Sequence, residues 1–123
     1  MDTSETYIKM CDCPEIQDGH EWENGEYYYF HGHKDIEEGT RIYCGSCFVE
    51  YEYRGDFRKE YIWLPQQGQL QEMSGLSWAL FDKACIQREY VFSTTKELAG
   101  IQVAMKEKHN KVWTEDKWEY ANL

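Results

Sequence analysis

Long apolar runs, prolines and basic residues are all scarce in this chain of 123 residues, and each shortage excludes something. No stretch approaches the ~18 consecutive apolar residues that mark a membrane-spanning helix. The opening residues, M-D-T-S-E-T-Y, lack the basic and apolar regions of a secretory signal, so the sequence reading places the protein in a reducing cytoplasm. Basic residues number 13 against 23 acidic ones, a formal net charge of -10. Such a surface repels nucleic acid and anionic membrane and suits a basic protein partner. No P-loop, G-x-S-x-G, H-E-x-x-H or dinucleotide fingerprint occurs, so no catalytic residue is assigned and the reading leans away from an enzyme. Internal repeats, low-complexity tracts and linkers are absent too, and residues 1–123 read as a single domain large enough to bury its own core.

Aromatic residues are abundant, at 16% of the chain, and argue against disorder despite the charge. The two prolines punctuate the chain. Residues 4–12 read as a short first helix capped by Ser4, with Glu5 at its positive end and Ile8 and Cys11 on an apolar stripe. Pro14 should end or kink it, and residues 15–24 leave room for a further turn before the breaker Asn24-Gly25. Aromatic content makes residues 26–31 a strand. Arg41 to Tyr53 reads as a hairpin about a Gly45-Ser46 turn of type II′. Phe57 to Leu64 reads as another strand. Pro65 then suits the first position of a helix reaching Met73.

Ser77 caps a helix expected over residues 78–88, with Leu80, Phe81, Ala84 and Cys85 on one face. Tyr90 to Phe92 fits either a helix end or a strand. Thr94 and Glu97 form a capping box that opens the clearest helix in the chain. Its stripe is expected to run through Leu98, Ile101, Met105 and Val112, with Glu107 and Lys111 as an outward i,i+4 pair. The segment from Lys111 to Trp118 reads as a small terminal hairpin or extended cover. The expected class is α+β. A small antiparallel sheet of roughly three to five strands in the N-terminal half, from 26 to 64, packs against two main C-terminal helices from 65 to 110, with a short N-terminal helix added.

Three segments, kept in order, carry a resemblance: Y-I-K-M-C at 7–11 followed by E-I-Q at 15–17, I-W-L-P-Q-Q-G-Q-L-Q-E-M at 62–73, and V-A-M-K-E-K-H-N-K-V-W at 103–113. In these the chain resembles a family of small phage and prophage proteins to which no activity is assigned. The resemblance implies a phage or prophage origin and a host-cell cytoplasmic setting, and it brings no catalytic residues. The chain departs from the family pattern at Asp12-Cys13-Pro14, which interrupts an otherwise continuous helix, and Cys44 and Cys47 need not be shared.

Five cysteines in a reducing compartment read as thiols or metal ligands. Cys11, Cys13, Cys44 and Cys47 form the one constellation able to carry chemistry: four thiolates would hold a structural zinc tetrahedrally. His31 and His33 could substitute for the N-terminal pair. Against this stands the plain alternative of no cofactor, with Cys11 in the core and the hairpin pair free. A redox C-x-x-C would open a helix rather than sit at a hairpin turn. Trp22, Trp63, Trp78, Trp113 and Trp118 are expected mostly in or half in the core, the alternative being an exposed patch for a partner. Gln66, Gln67, Gln69 and Gln71 read as a solvated helix face, with a polar ligand site as the alternative. His109 suits a helix C-terminus. The functional reading is an accessory protein that binds a host or phage macromolecule. The alternative is a small metal-dependent enzyme or zinc-stabilised module built on the Cys/His cluster.

Overall fold

The computed structural model describes residues 2–32, 37–44, 61–92 and 95–121, with backbone alone for 88–92. Among the described residues, five helices and two small antiparallel sheets make a mixed α+β fold, as the sequence pattern implies. None of the described helices is long and apolar enough to cross a membrane. The chain divides into two compact units, Cys11–Pro65 and Met1–Met10 with Gln66–Leu123.

In the unit Cys11–Pro65, a short helix α2 (Pro14–Gln17) precedes strands β1 (Tyr27–Phe30), β2 (Gly39–Ile42) and β3 (Tyr61–Leu64). Pro14 stands in the first turn of α2 with extended Cys13 before it, where its missing N–H has no intrahelical partner to lose. The strands form one antiparallel sheet in the order β2-β1-β3. Alternation along β1 buries Tyr28 and Phe30 and leaves Tyr27 and Tyr29 half-buried. Opposite them β3 is buried at all four positions. Tyr61 stacks on Phe30 at 5.2 Å and meets Tyr28 edge-on at 5.5 Å, and Trp22 and Tyr43 pack against this cluster. Of the predicted Arg41–Tyr53 hairpin, only residues 41–44 are described. Its Gly-Ser turn, and residues 57–60 of the predicted third strand, lie outside the described residues.

A side chain stands in for a fourth strand at Trp63. Gln17 Nε2 donates to the Trp63 carbonyl at 2.9 Å, and its Oε1 accepts from the Trp63 amide at 2.9 Å. The same Nε2 reaches the Cys11 carbonyl at 2.9 Å. One amide thereby satisfies both backbone groups of a buried residue, which would otherwise be costly to leave unpaired. Replacing Gln17 with alanine should destabilise the protein by about 1–3 kcal/mol. Urea melts check this, and a midpoint equal to that of the parent would contradict the role.

The other unit holds most of α1 (Glu5–Cys11), then α3 (Gln67–Ser74), α4 (Trp78–Phe92), α5 (Lys96–His109), β4 (Lys111–Thr114) and β5 (Lys117–Tyr120). Ser4 caps α1 as expected, its Oγ accepting from the Tyr7 amide at 3.2 Å. Pro65 does not open a helix. It precedes extended Gln66, which caps α3 through a reciprocal box with Gln69, whose Oε1 accepts from the Gln66 amide at 2.8 Å. Proline's missing N–H is equally harmless at the end of β3, so the residue alone does not fix which element it borders.

The cap of α5 is also displaced by one residue. Thr95, not Thr94, accepts from the Leu98 amide at 3.2 Å, so Glu97 falls too early to reach back. Thr94 itself lies outside the described residues. The Thr95 hydroxyl donates in turn to Asp2 at 2.5 Å. Burial opposes ionisation of Asp2, but hydrogen bonds from Thr95 and Ser4 outweigh it and hold the carboxyl below its usual range.

Helix α5 buries Ala99, Gly100, Ile101, Val103, Ala104 and Met105. Gly100 lets α3 come close: a Cβ there would sit 2.5 Å from Gln67 Oε1 and 3.0 Å from Leu70 Cδ1. Asn110 ends the helix in the left-handed region, at φ 55°. Val112 and Lys111 therefore belong to β4, not to the helical stripe. Lys111 lies over the Tyr120 ring at 5.0 Å, so its expected helical pairing with Glu107 does not arise. The terminal hairpin is present. Trp113 faces Trp118 across β4 and β5, ring centroids 5.1 Å apart, and Trp118 Nε1 donates to the Met10 carbonyl at 2.9 Å.

Candidate functional site

The predicted metal ligands are only partly described. Cys11, Cys13 and Cys44 fall in the unit Cys11–Pro65. Cys47 and His33 lie outside the described residues. Cys11, at the end of α1, is buried, and Cys13 and Cys44 are half-buried. Burial pushes the Cys13 thiol up to about 12, so it is protonated at neutral pH and a metal would have to displace that proton. His31 is exposed and meets the Tyr29 ring edge-on at 5.1 Å. Among the described residues, no three His, Cys, Asp or Glu side chains converge as metal ligands do.

The glutamine segment is less solvated than its composition suggests. Gln66 is exposed, but Gln67, Gln69 and Gln71 are half-buried. Gln71 Nε2 donates to the Leu76 carbonyl at 2.6 Å, and Gln67 Nε2 to Cys85 Sγ at 3.7 Å. These amides close local backbone and helix contacts.

Helix α4 holds the clearest candidate surface. Its N-cap is Ser77, whose Oγ accepts from the Leu80 amide at 3.4 Å. Phe81 and Cys85 are buried, one turn apart. Leu80, expected beside them, is 57% exposed. At about 100° per residue it lies well off the Phe81–Cys85 line. Trp78 is 50% exposed and Ile86 63% exposed, so α4 turns three large apolar side chains towards solvent.

Trp78, Asp82, Cys85 and Ile86 share one side of α4 by their helical spacing. Together with Gln67 and Lys96 they line a recess of about 380 Å³. Trp78 is steadied by an edge-on contact with Phe81, at 6.0 Å and 79°. Gln67 Oε1 is buried with no hydrogen-bond partner among the described residues. Asp82 and Lys96 are exposed, and among the described residues neither makes a hydrogen bond or an ion pair through its side chain. The recess thus offers an aromatic wall, an aliphatic wall, a thiol and two uncommitted charges of opposite sign. Among the described residues it shows no arrangement of nucleophile, base and orienting group.

The tryptophans divide accordingly. Trp63 is buried, Trp22, Trp113 and Trp118 are half-buried, and Trp78 alone among the five is exposed. The spacing of Trp78, Asp82, Cys85 and Ile86 was available in the sequence. Grouping Cys85 with Leu80 hid that they form a face of their own.

A second cluster escaped the sequence reading altogether. His20 stacks on Trp63 at 3.5 Å and 10°, and its Nε2 lies 3.0 Å from Glu26 Oε1. Glu26, although buried, also accepts from the Glu23 amide at 2.5 Å. A carboxylate on Nε2 fixes the neutral ring's proton there. His20 and Glu26 are joined across an irregular loop, for which no sequence period exists.

No protein-family model matches this chain, and no curated protein or solved structure shows significant similarity to it.

Proposed function

We propose that this is a phage- or prophage-encoded accessory protein that acts in the host cytoplasm, without catalysis, by binding another protein through α4. The exposure of Trp78 and Ile86 on one side of a single helix, beside the recess, carries this reading. Large apolar side chains clustered about a concavity mark interaction sites, and tryptophan is prominent among the residues that dominate binding energy. The net charge of -10 favours a basic partner over nucleic acid or a second copy of the same chain. The resemblance to small phage proteins supplies the origin and the setting.

Capture from host lysate at physiological salt tests the reading. A discrete partner should be retained by the parent protein and lost, by tenfold or more, from a Trp78→Ala, Ile86→Ser double variant with an unchanged circular dichroism spectrum. Roughly this loss follows when a hot-spot aromatic is truncated. Equal capture by both proteins, or capture of nothing, would count against it.

A structural zinc on Cys11, Cys13, Cys44 and Cys47 is the second reading. It is supported by Cys11, Cys13 and Cys44 falling within one compact unit. Zinc binding would be linked to folding. On this reading the purified protein carries one zinc per chain, and a chelator lowers its melting temperature. Metal-free protein with a chelator-insensitive melt would remove the reading and leave the cysteines as ordinary residues.

A further inference from the structure

We infer that the recess on α4 takes an arginine side chain from a basic segment of the partner, stacked on the Trp78 indole and paired with the Asp82 carboxylate. This rests on the docking role proposed for α4 and specifies its occupant. Three features of the recess fit that chemistry. Trp78 presents a half-exposed indole, on which a planar guanidinium stacks favourably. Ile86 and Cys85 supply an apolar wall along which the methylene stem can lie while its charged head stays near water. Asp82 stands one helical turn from Trp78 on the same side, with its charge uncommitted among the described residues.

The volume, about 380 Å³, has room for a long side chain and is too small for a folded segment. The acidic chain as a whole draws a cationic partner to this face. Lys96, on the rim, opposes a cation. It sets the guanidinium on the Asp82 side and would welcome a carboxylate neighbouring the arginine. Lysine fits less well, because its compact, strongly hydrated ammonium neither stacks on the indole nor forms a forked pair with a carboxylate. A second copy of this chain is disfavoured, since two bodies of charge -10 repel.

The full-length protein, titrated calorimetrically with capped peptides of six arginines, six lysines or six citrullines, tests the assignment. The arginine peptide should bind most tightly and the neutral citrulline peptide not at all. Asp82→Asn should weaken arginine binding by about tenfold, a change of about 1.4 kcal/mol. Lys96→Gln should tighten it by about threefold. Glu107→Gln, which removes an equal charge from an exposed position of α5, should leave it unchanged. Equal weakening by Asp82→Asn and Glu107→Gln, or equal affinity for arginine and lysine, would overturn the assignment, because either is the mark of general attraction to an acidic surface. Concentration-dependent dimerisation abolished by Ile86→Ser would overturn it as well, by placing a second copy on the face. Should the partner be lost from the Trp78→Ala, Ile86→Ser variant yet captured normally by Asp82→Asn, the docking role stands and the arginine occupant falls.

Discussion

Replacing Ile101 with alanine should lower the stability of the protein by about 2–5 kcal/mol, the range for deleting a large aliphatic side chain from a packed core. Ile101 is fully buried on α5, between other buried positions of that helix and one turn from fully buried Met105. The truncation removes apolar contact and leaves a cavity that the surroundings fill only in part. Gly100 already brings α3 close, with Leu70 Cδ1 3.0 Å from where a glycine Cβ would be, so there is little slack for the helices to close further. Met105→Ala should behave alike. Urea melts give the measurement. A loss within about 0.5 kcal/mol, typical of surface substitutions, would contradict the packing of α5.

Phe81→Ala should cost about 3–5 kcal/mol, the cost of removing a buried aromatic ring. Phe81 is fully buried and its ring supports Trp78 edge-on. The substitution should therefore act twice: it lowers the denaturant midpoint, and it frees the indole that walls the recess, so partner capture falls below that of the folded parent. Leu80→Ala is the matched control. Its side chain lies next in sequence but is exposed, so its cost should stay within about 0.5 kcal/mol. Similar losses for the two variants would mean that α4 is rotated from the orientation described.

What the sequence conveyed was mostly local chemistry. Ser4 and Ser77 cap their helices because a short hydroxyl before an apolar-periodic run has an amide within reach. The terminal ribbon was legible because Trp113 and Trp118 flank a polar turn at the spacing of a cross-strand pair. β1 was legible from its aromatic run. Where two adjacent residues offer the same chemistry, as Thr94 and Thr95 do, sequence cannot choose the cap, and the buried face of α5 settles it. Pro65 was misplaced for a related reason, being compatible with both a strand end and a helix start.

The remainder depends on contacts between distant residues. Gln17 and Trp63 are 46 positions apart, and nothing in the glutamine's surroundings marks it as a substitute strand. The exposure of Trp78 depends on which side of α4 meets α5. That choice is made by tertiary packing, and a helix with apolar residues on several faces leaves it open. The metal constellation was legible as spacing, but spacing does not determine whether sulfurs converge.

The central claim is that the protein works by binding a partner through α4. Site-specific photocrosslinking in host cells tests it most directly, with a photoreactive residue replacing Ile86 in one variant and Glu107, an exposed residue of α5, in another. The account predicts a discrete protein adduct from position 86 and none from position 107. No adduct from position 86, or the same adducts from both positions, would contradict it.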